Sequence, residues 1–177
     1  MTRCFVAIDL PDEIKAKLFH DFDNFKKRGF FIGKNTEKNN LHLTLKFLGD
    51  LTGEEIEKTK AVLREIKFRK FFCSLGKLGF FDSADKINII WIELISEKLA
   101  QLEKEISTSL GTPEKFAPHI TLSRVKKAFN KKKLAEGIKN FNFKSREFEV
   151  GEFLLMKSEL TKEGPKYKVL EKFKSAE

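Results

Sequence analysis

The chain has 177 residues, 41% of them hydrophobic, and carries a formal net charge of +9. That length leads us to expect one domain, residues 1–177, with a sizeable core. No apolar run approaches the ~20 residues needed to cross a bilayer, and charge interrupts residues 1–9 too soon for a secretory leader, so a cytosolic protein is expected.

Lysine supplies 29 of the 35 cationic side chains. Such a balance favours polyanionic partners and also suits a heat-adapted surface. The densest basic stretch is Lys126-Lys127 with Lys131-Lys132-Lys133, around Ala128-Phe129-Asn130. Cys4 and Cys73 have no metal-ligand or CxxC spacing and read as small buried apolar residues.

In chain order, residues 3–8 alternate as a strand. Asp9 then reads as a helix N-cap, with Pro11 in the first turn. Ile14, Leu18, Phe22 and Phe25 recur at helical spacing, Gly29 closes that helix, and His20 lies off its apolar stripe. Residues 30–40 read as a polar loop. Residues 41–48 form a strand that Gly49-Asp50 ends. Thr52 and Glu55 make a capping box for a helix with Ile56, Val62, Leu63 and Ile66 on one face. Residues 71–81 and 87–95 read as a strand pair turning through Asp82-Ser83-Ala84-Asp85. Ser96 opens a helix with Leu99, Leu102, Ile106 and Leu110 inward, and a Thr112-Pro113 loop follows. Asn130 caps a short helix to about Lys139, and strands near 143–150, 152–159 and 166–171 finish the chain.

One pattern occurs twice: His42-Leu43-Thr44-Leu45, and 77 residues later His119-Ile120-Thr121-Leu122. Two of the three histidines therefore share one context. In a strand, residues i and i+2 share a face. His42 and Thr44 thus point one way, while Leu41, Leu43, Leu45 and Phe47 point into a core. His119 and Thr121 repeat this, backed by Pro118, Ile120 and Leu122. The repetition suggests duplicated halves around a shared cleft.

A zinc site needs three or four suitable ligands, and neither motif adds a Cys, Asp or Glu to its His face. A nucleophilic triad needs a Ser or Cys beside a carboxylate-oriented His, and no Ser has that context. Two imidazoles without either partner suit general acid–base catalysis, since an unperturbed pKa of about 6.5 lets one ring be neutral and the other protonated. Threonine hydroxyls can then donate to non-bridging phosphate oxygens during in-line displacement at phosphorus.

The longer stretches, residues 40–49 (Asn-Leu-His-Leu-Thr-Leu-Lys-Phe-Leu-Gly) and 116–125 (Phe-Ala-Pro-His-Ile-Thr-Leu-Ser-Arg-Val), resemble the signatures of the 2H phosphoesterase superfamily. Their flanks, with the opening Arg3-Cys4-Phe5-Val6-Ala7-Ile8-Asp9-Leu10-Pro11, resemble its RNA 2′,3′-cyclic phosphodiesterase branch, also called the LigT or 2′-5′ RNA ligase family. The resemblance covers essentially the whole chain. It implies an α+β, bilobal fold: two pseudo-symmetric lobes, each with an antiparallel sheet and helices, facing a central cleft. It implies hydrolysis of a terminal RNA 2′,3′-cyclic phosphate to a 2′-phosphate, without metal or other cofactor. Separately from the resemblance, a monomer is expected. By match of position, His42 would be the proton donor to the departing 3′ oxygen and His119 the proton acceptor from water. Thr44, Thr121 and Arg124 would hold the phosphate, and Phe5 would stack on the terminal base. The RNA partner could be a transfer-RNA fragment, a splicing intermediate or a small cyclic nucleotide. Arg124 lies five residues from His119, so its role requires the strand to end or bulge before it, or the side chain to reach back. Two alternatives stay open: 2′-5′ ligation by the reverse reaction, and a non-catalytic RNA- or nucleotide-binding module.

Overall fold

A computed structural model describes residues 1–83, 86–111, 116–144, 146–162 and 164–176. Nine strands and four α-helices are found among them: β1 (Thr2–Asp9), α1 (Asp12–Lys26), β2 (Phe31–Asn35), β3 (His42–Leu51), α2 (Gly53–Arg64), β4 (Phe71–Ser83), β5 (Lys86–Ile95), α3 (Glu97–Ser109), β6 (His119–Ala128), α4 (Lys131–Lys139), β7 (Glu147–Val150), β8 (Glu152–Leu160) and β9 (Pro165–Lys174). They build two antiparallel sheets, ordered β3-β1-β8-β9 and β2-β6-β5-β4-β7.

The sheets correspond. Setting β3-β1-β8-β9 on β6-β5-β4-β7 matches the two His-bearing strands and leaves β2 as an extra edge on β6. Each half runs strand, helix, antiparallel His strand: β1-α1-β3 and β5-α3-β6. The halves also exchange strands. β4 follows the first His strand but joins the second sheet, whereas β8 follows the second His strand and joins the first.

Side-chain caps account for two of the four α-helix starts among the described residues. Thr52 and Glu55 form the reciprocal capping box, and the Asn130 side chain accepts from the Lys133 N–H. Both caps satisfy donors that a helix start leaves without an internal partner. Ser96 stands at the N-cap of α3 but makes no capping bond. Asp9 is not a cap: Pro11 holds that position, and the Asp9 carboxylate instead accepts from Leu10 N–H and Lys15. Leu18, Phe25, Leu63, Leu99, Ile106 and Leu134 are fully buried on the faces their helical spacing defines. Each such side chain contributes roughly 1.5–3 kcal/mol of burial.

Three stretches differ from the sequence expectation. Within 30–40, β2 pairs with β6 and a short 3-10 turn spans Lys38–Asn40; a strand of five residues with Gly and Asn in it carries little propensity of its own, and the edge of β6 supplies its partner. β3 continues through Gly49-Asp50, because Gly49 takes a φ of 75° and bends the strand without ending it. β7 begins only at Glu147. The expected Thr112-Pro113 loop and the Ala84-Asp85 tip lie outside the described residues.

One core joins both halves, with Phe25, Leu43, Ile90 and Phe153 among its members. A smaller apolar cluster of Phe5, Ala7, Leu154 and Met156, with Tyr167 against it, lies on the other face of the first sheet. Both cysteines are buried and free. Burial pushes the Cys73 thiol up to about 11, opposed by a hydrogen bond from Ser96. Among the described residues no helix is long and apolar enough to cross a membrane.

Candidate active site

His42 and His119 begin β3 and β6, and each ring is half-buried. The two imidazoles are held alike. Nδ1 of His42 donates to the Asn40 carbonyl oxygen at 2.7 Å, and Nδ1 of His119 donates to the Ala117 carbonyl oxygen at 2.7 Å. A carbonyl oxygen can only accept, so the proton of each neutral ring sits on Nδ1. Nε2 is left with its lone pair for chemistry. At His42 it lies 3.1 Å from the Thr44 hydroxyl. At His119 no hydrogen bond to Nε2 is found among the described residues.

Both rings, with Thr44 and Thr121, line a single cavity of about 320 Å³. Asn40, Lys46, Phe47, Phe81 and Tyr167 are among its other walls. Aromatic rings fix the imidazole planes. Phe5 and Tyr167 each lie 5.1 Å from His42, Tyr167 edge-on. Phe81 meets His119 edge-on at 4.9 Å, and Trp91 lies tilted at 6.0 Å. Trp91 seats on Gly79, across the β4–β5 pair, where an added Cβ would come within 2.2 Å of its ring.

The charges around His42 are defined. Burial lowers the pKa of His42 below its usual value; the bond to the Asn40 carbonyl and the Asp9 carboxylate oppose this, while Lys15 and His119 add to it. Asp9 is the cross-strand neighbour of His42, and its carboxylate holds the buried Lys15 ammonium at 2.7 Å. Thus the anion nearest His42 is already partly neutralised. Among the described residues, no group of three or more His, Cys, Asp or Glu gathers as metal ligands do.

A bulge at the same motif position decides what else reaches this face. In β3, Ala7 pairs with Thr44 and Val6 with Lys46, so Leu45 is the extra residue. In β6, Trp91 pairs with Thr121 and Ile90 with Ser123, so Leu122 is the extra residue. One extra residue flips the side-chain alternation. Leu45 and Lys46 are both buried in succession, as are Leu122 and Ser123. The next residues, Phe47 and Arg124, therefore turn out on the His–Thr side and are exposed.

This corrects the expectation for Phe47 and meets the condition attached to Arg124. Phe47, assigned to the core by strict alternation, is 69% exposed and lines the cavity. Arg124, which regular alternation sends to the opposite face, is brought back by the bulge. It lines a smaller neighbouring cavity with Thr36, Asn40 and Tyr167, residues shared with the first. Phe5 differs from the base-stacking expectation as well. It is only 3% exposed, enclosed by His42, Tyr167 and Phe47. A ring so enclosed offers no open face to a base, and here it backs the imidazole. His20, the third histidine, stands apart on α1 beside Asn24. Sequence reasoning missed Phe47, Tyr167 and Phe81 as walls and Trp91 as a neighbour of His119; for Phe47, its five-residue offset from His42, the same as that of Arg124 from His119, was the available signal.

Fold and cleft together define a duplicated α+β protein with one imidazole–hydroxyl pair contributed by each half. The model of the LigT-like phosphoesterases matches the chain twice, over residues 8–91 and 92–167, one His motif in each match. An RNA 2′,3′-cyclic phosphodiesterase of Methanocaldococcus jannaschii is 35% identical over 97% of this chain and 99% of that one. One of Thermotoga maritima is 32% identical over 95% and 92%. A crystal structure from Thermus thermophilus superposes with a TM-score of 0.77 at 27% identity, covering 97% of each chain. Apo Escherichia coli LigT shares the fold, with a TM-score of 0.77 at 24% identity over 99% of this chain and 98% of that one. The chain belongs to the LigT-like phosphoesterase family.

Proposed function

We propose that this protein hydrolyses the 2′,3′-cyclic phosphate at an RNA 3′ end, leaving a 2′-phosphate and a free 3′-hydroxyl. The observation that carries the reading is the convergence of two Nδ1-anchored imidazoles and two threonine hydroxyls on one cavity. The names of the curated relatives support the same substrate class.

In the proposed reaction Nε2 of His119 accepts a proton from water as the water attacks phosphorus. The P–O3′ bond opposite breaks, and Nε2–H of His42 gives its proton to O3′. One proton enters the pair and one leaves it, so the rings exchange protonation states and solvent resets them. Burial disfavours the charged His42 ring in the free protein, and the arriving phosphodiester anion offsets that cost. Thr44 and Thr121 hold non-bridging oxygens, and Arg124 meets the charge that grows on them. Phe47, the exposed ring on the cavity wall, supplies the stacking surface for the terminal base. RNA is the proposed partner, met by a monomer inside the cell.

Incubation with an oligonucleotide ending in a 2′,3′-cyclic phosphate tests this directly. The expected product carries a 2′-phosphate; a 3′-phosphate or no turnover contradicts the reading. Adding a 5′-hydroxyl oligonucleotide to the same reaction reveals any joining through a 2′-5′ bond.

A further inference from the structure

The lysine-rich end of β6 takes no part in the chemistry above, yet it lies on the same strand face. Beyond Arg124 the register of β6 shifts again, this time against β2. Gly33 pairs with Val125 and Ile32 with Lys127, so Lys126 is an extra residue. Val125 is buried, while Lys126 and Lys127 are both exposed in succession. The face that carries His119, Thr121 and Arg124 therefore continues to two adjacent ammonium groups.

Among the described residues Lys126 and Lys127, like Lys132 and Lys133 on α4, are held by no carboxylate, unlike several other lysines of the chain. Across the strand pair, Lys34 stands opposite Arg124 and the exposed Ile32 opposite Lys127. The cavity between Lys34 and Arg124 opens beside the catalytic one, with Glu37 as the carboxylate on its wall. Just past Lys127, Phe129 is also largely exposed. Cations interleaved with apolar side chains suit a single-stranded chain of phosphates and bases, and suit it without regard to sequence.

Building on the proposed activity, we propose that the β6–β2 edge is a track for the RNA upstream of the reacting end. The strand leaves the catalytic cavity past Arg124 and its backbone phosphates run along Lys126 and Lys127. The enzyme would then prefer oligonucleotides to mononucleotides through contacts remote from the chemistry.

The test compares wild type, Lys126→Glu/Lys127→Glu and Lys126→Arg/Lys127→Arg. The substrates are a nucleoside 2′,3′-cyclic monophosphate and an oligonucleotide with the same 3′ nucleotide. In the Glu variant kcat/KM for the oligonucleotide should fall on the order of tenfold or more, while the mononucleotide rate stays unchanged and the Arg variant retains both. Fluorescence anisotropy with a labelled oligonucleotide ending in a 2′-phosphate gives a second readout that needs no turnover. There the log–log slope of affinity against salt should fall by about 1.4 in the Glu variant, from two contacts at about 0.7 each. An unchanged slope, or equal losses on both substrates, overturns the track. Failure of wild type to turn over either substrate overturns the proposed activity instead, and the salt slope still decides the track.

Discussion

Leu45 and Leu122 occupy equivalent places in the two halves: each closes its His-x-Thr-Leu motif, and each is the extra residue of a bulge. Each turns the second residue after it, Phe47 in one half and Arg124 in the other, toward the histidine side. The duplicated geometry thus serves two different tasks. One half presents an aromatic face and the other a guanidinium.

Phe47→Ala should raise KM for a cyclic-phosphate nucleotide by roughly 5- to 150-fold, the equivalent of about 1–3 kcal/mol per stacked base. Thermal stability should hardly change, since the ring is 69% exposed. Arg124→Ala should instead lower kcat, and Arg124→Lys should restore little of it, because a point charge does not replace a planar fork on phosphate. Steady-state kinetics on the two variants checks the division; a KM unaffected by loss of Phe47 would remove it from the binding surface.

His42→Ala and His119→Ala should each reduce the rate about 10²- to 10⁴-fold, the range for loss of a general acid or base. Both variants should keep the wild-type circular dichroism spectrum. Because the imidazoles supply both proton transfers, activity should persist in excess EDTA. Near-normal turnover by either variant, or strong inhibition by the chelator, would contradict the two-histidine chemistry.

The depressed pKa of His42 has a stability consequence. Its folded-state value lies below the ordinary one of about 6.5, so as pH falls past that value the unfolded chain takes up a proton before the folded chain does. The contribution is fully present above about pH 6.5 and is lost as pH falls through the folded-state pKa. Denaturant titrations between about pH 5.5 and 7.5 should show stability decreasing on acidification. His42→Gln, which has no such proton to bind, should flatten that slope; equal slopes in the two proteins would show that the half-buried ring is not its source. Inorganic phosphate in the cavity should move the His42 midpoint upward in an NMR titration.

Gly79→Ala should disturb the second histidine from a distance. The new Cβ would sit 2.2 Å from the Trp91 ring, which lies against His119. A stability loss of about 1–3 kcal/mol is expected from the overpacking, accompanied by a lower kcat. Calorimetry and kinetics together check it. An intact kcat in a destabilised variant would make Trp91 a packing residue without influence on the imidazole.

Alternation, helical spacing and caps act within a few residues. The paired His-x-Thr motifs, the half-buried character of their strands and the capped starts of α2 and α4 were therefore legible in the chain alone. Its likeness to a known family also indicated a two-lobed fold. Where alternation breaks was not legible, because long-range pairing decides it. The bulges at Leu45 and Leu122 are defined against β1 and β5, strands far away in sequence, so neither can be read from β3 or β6 alone. For the same reason β2 was hidden inside a polar stretch until β6 offered it an edge. Phe5 shows the converse limit. Its strand was legible, but whether its ring faces a ligand or the back of His42 depends on Tyr167, 162 positions further along the chain. Packing between distant segments, not propensity, settles that Phe47, which alternation assigns to the core, lines the cavity while Phe5 does not.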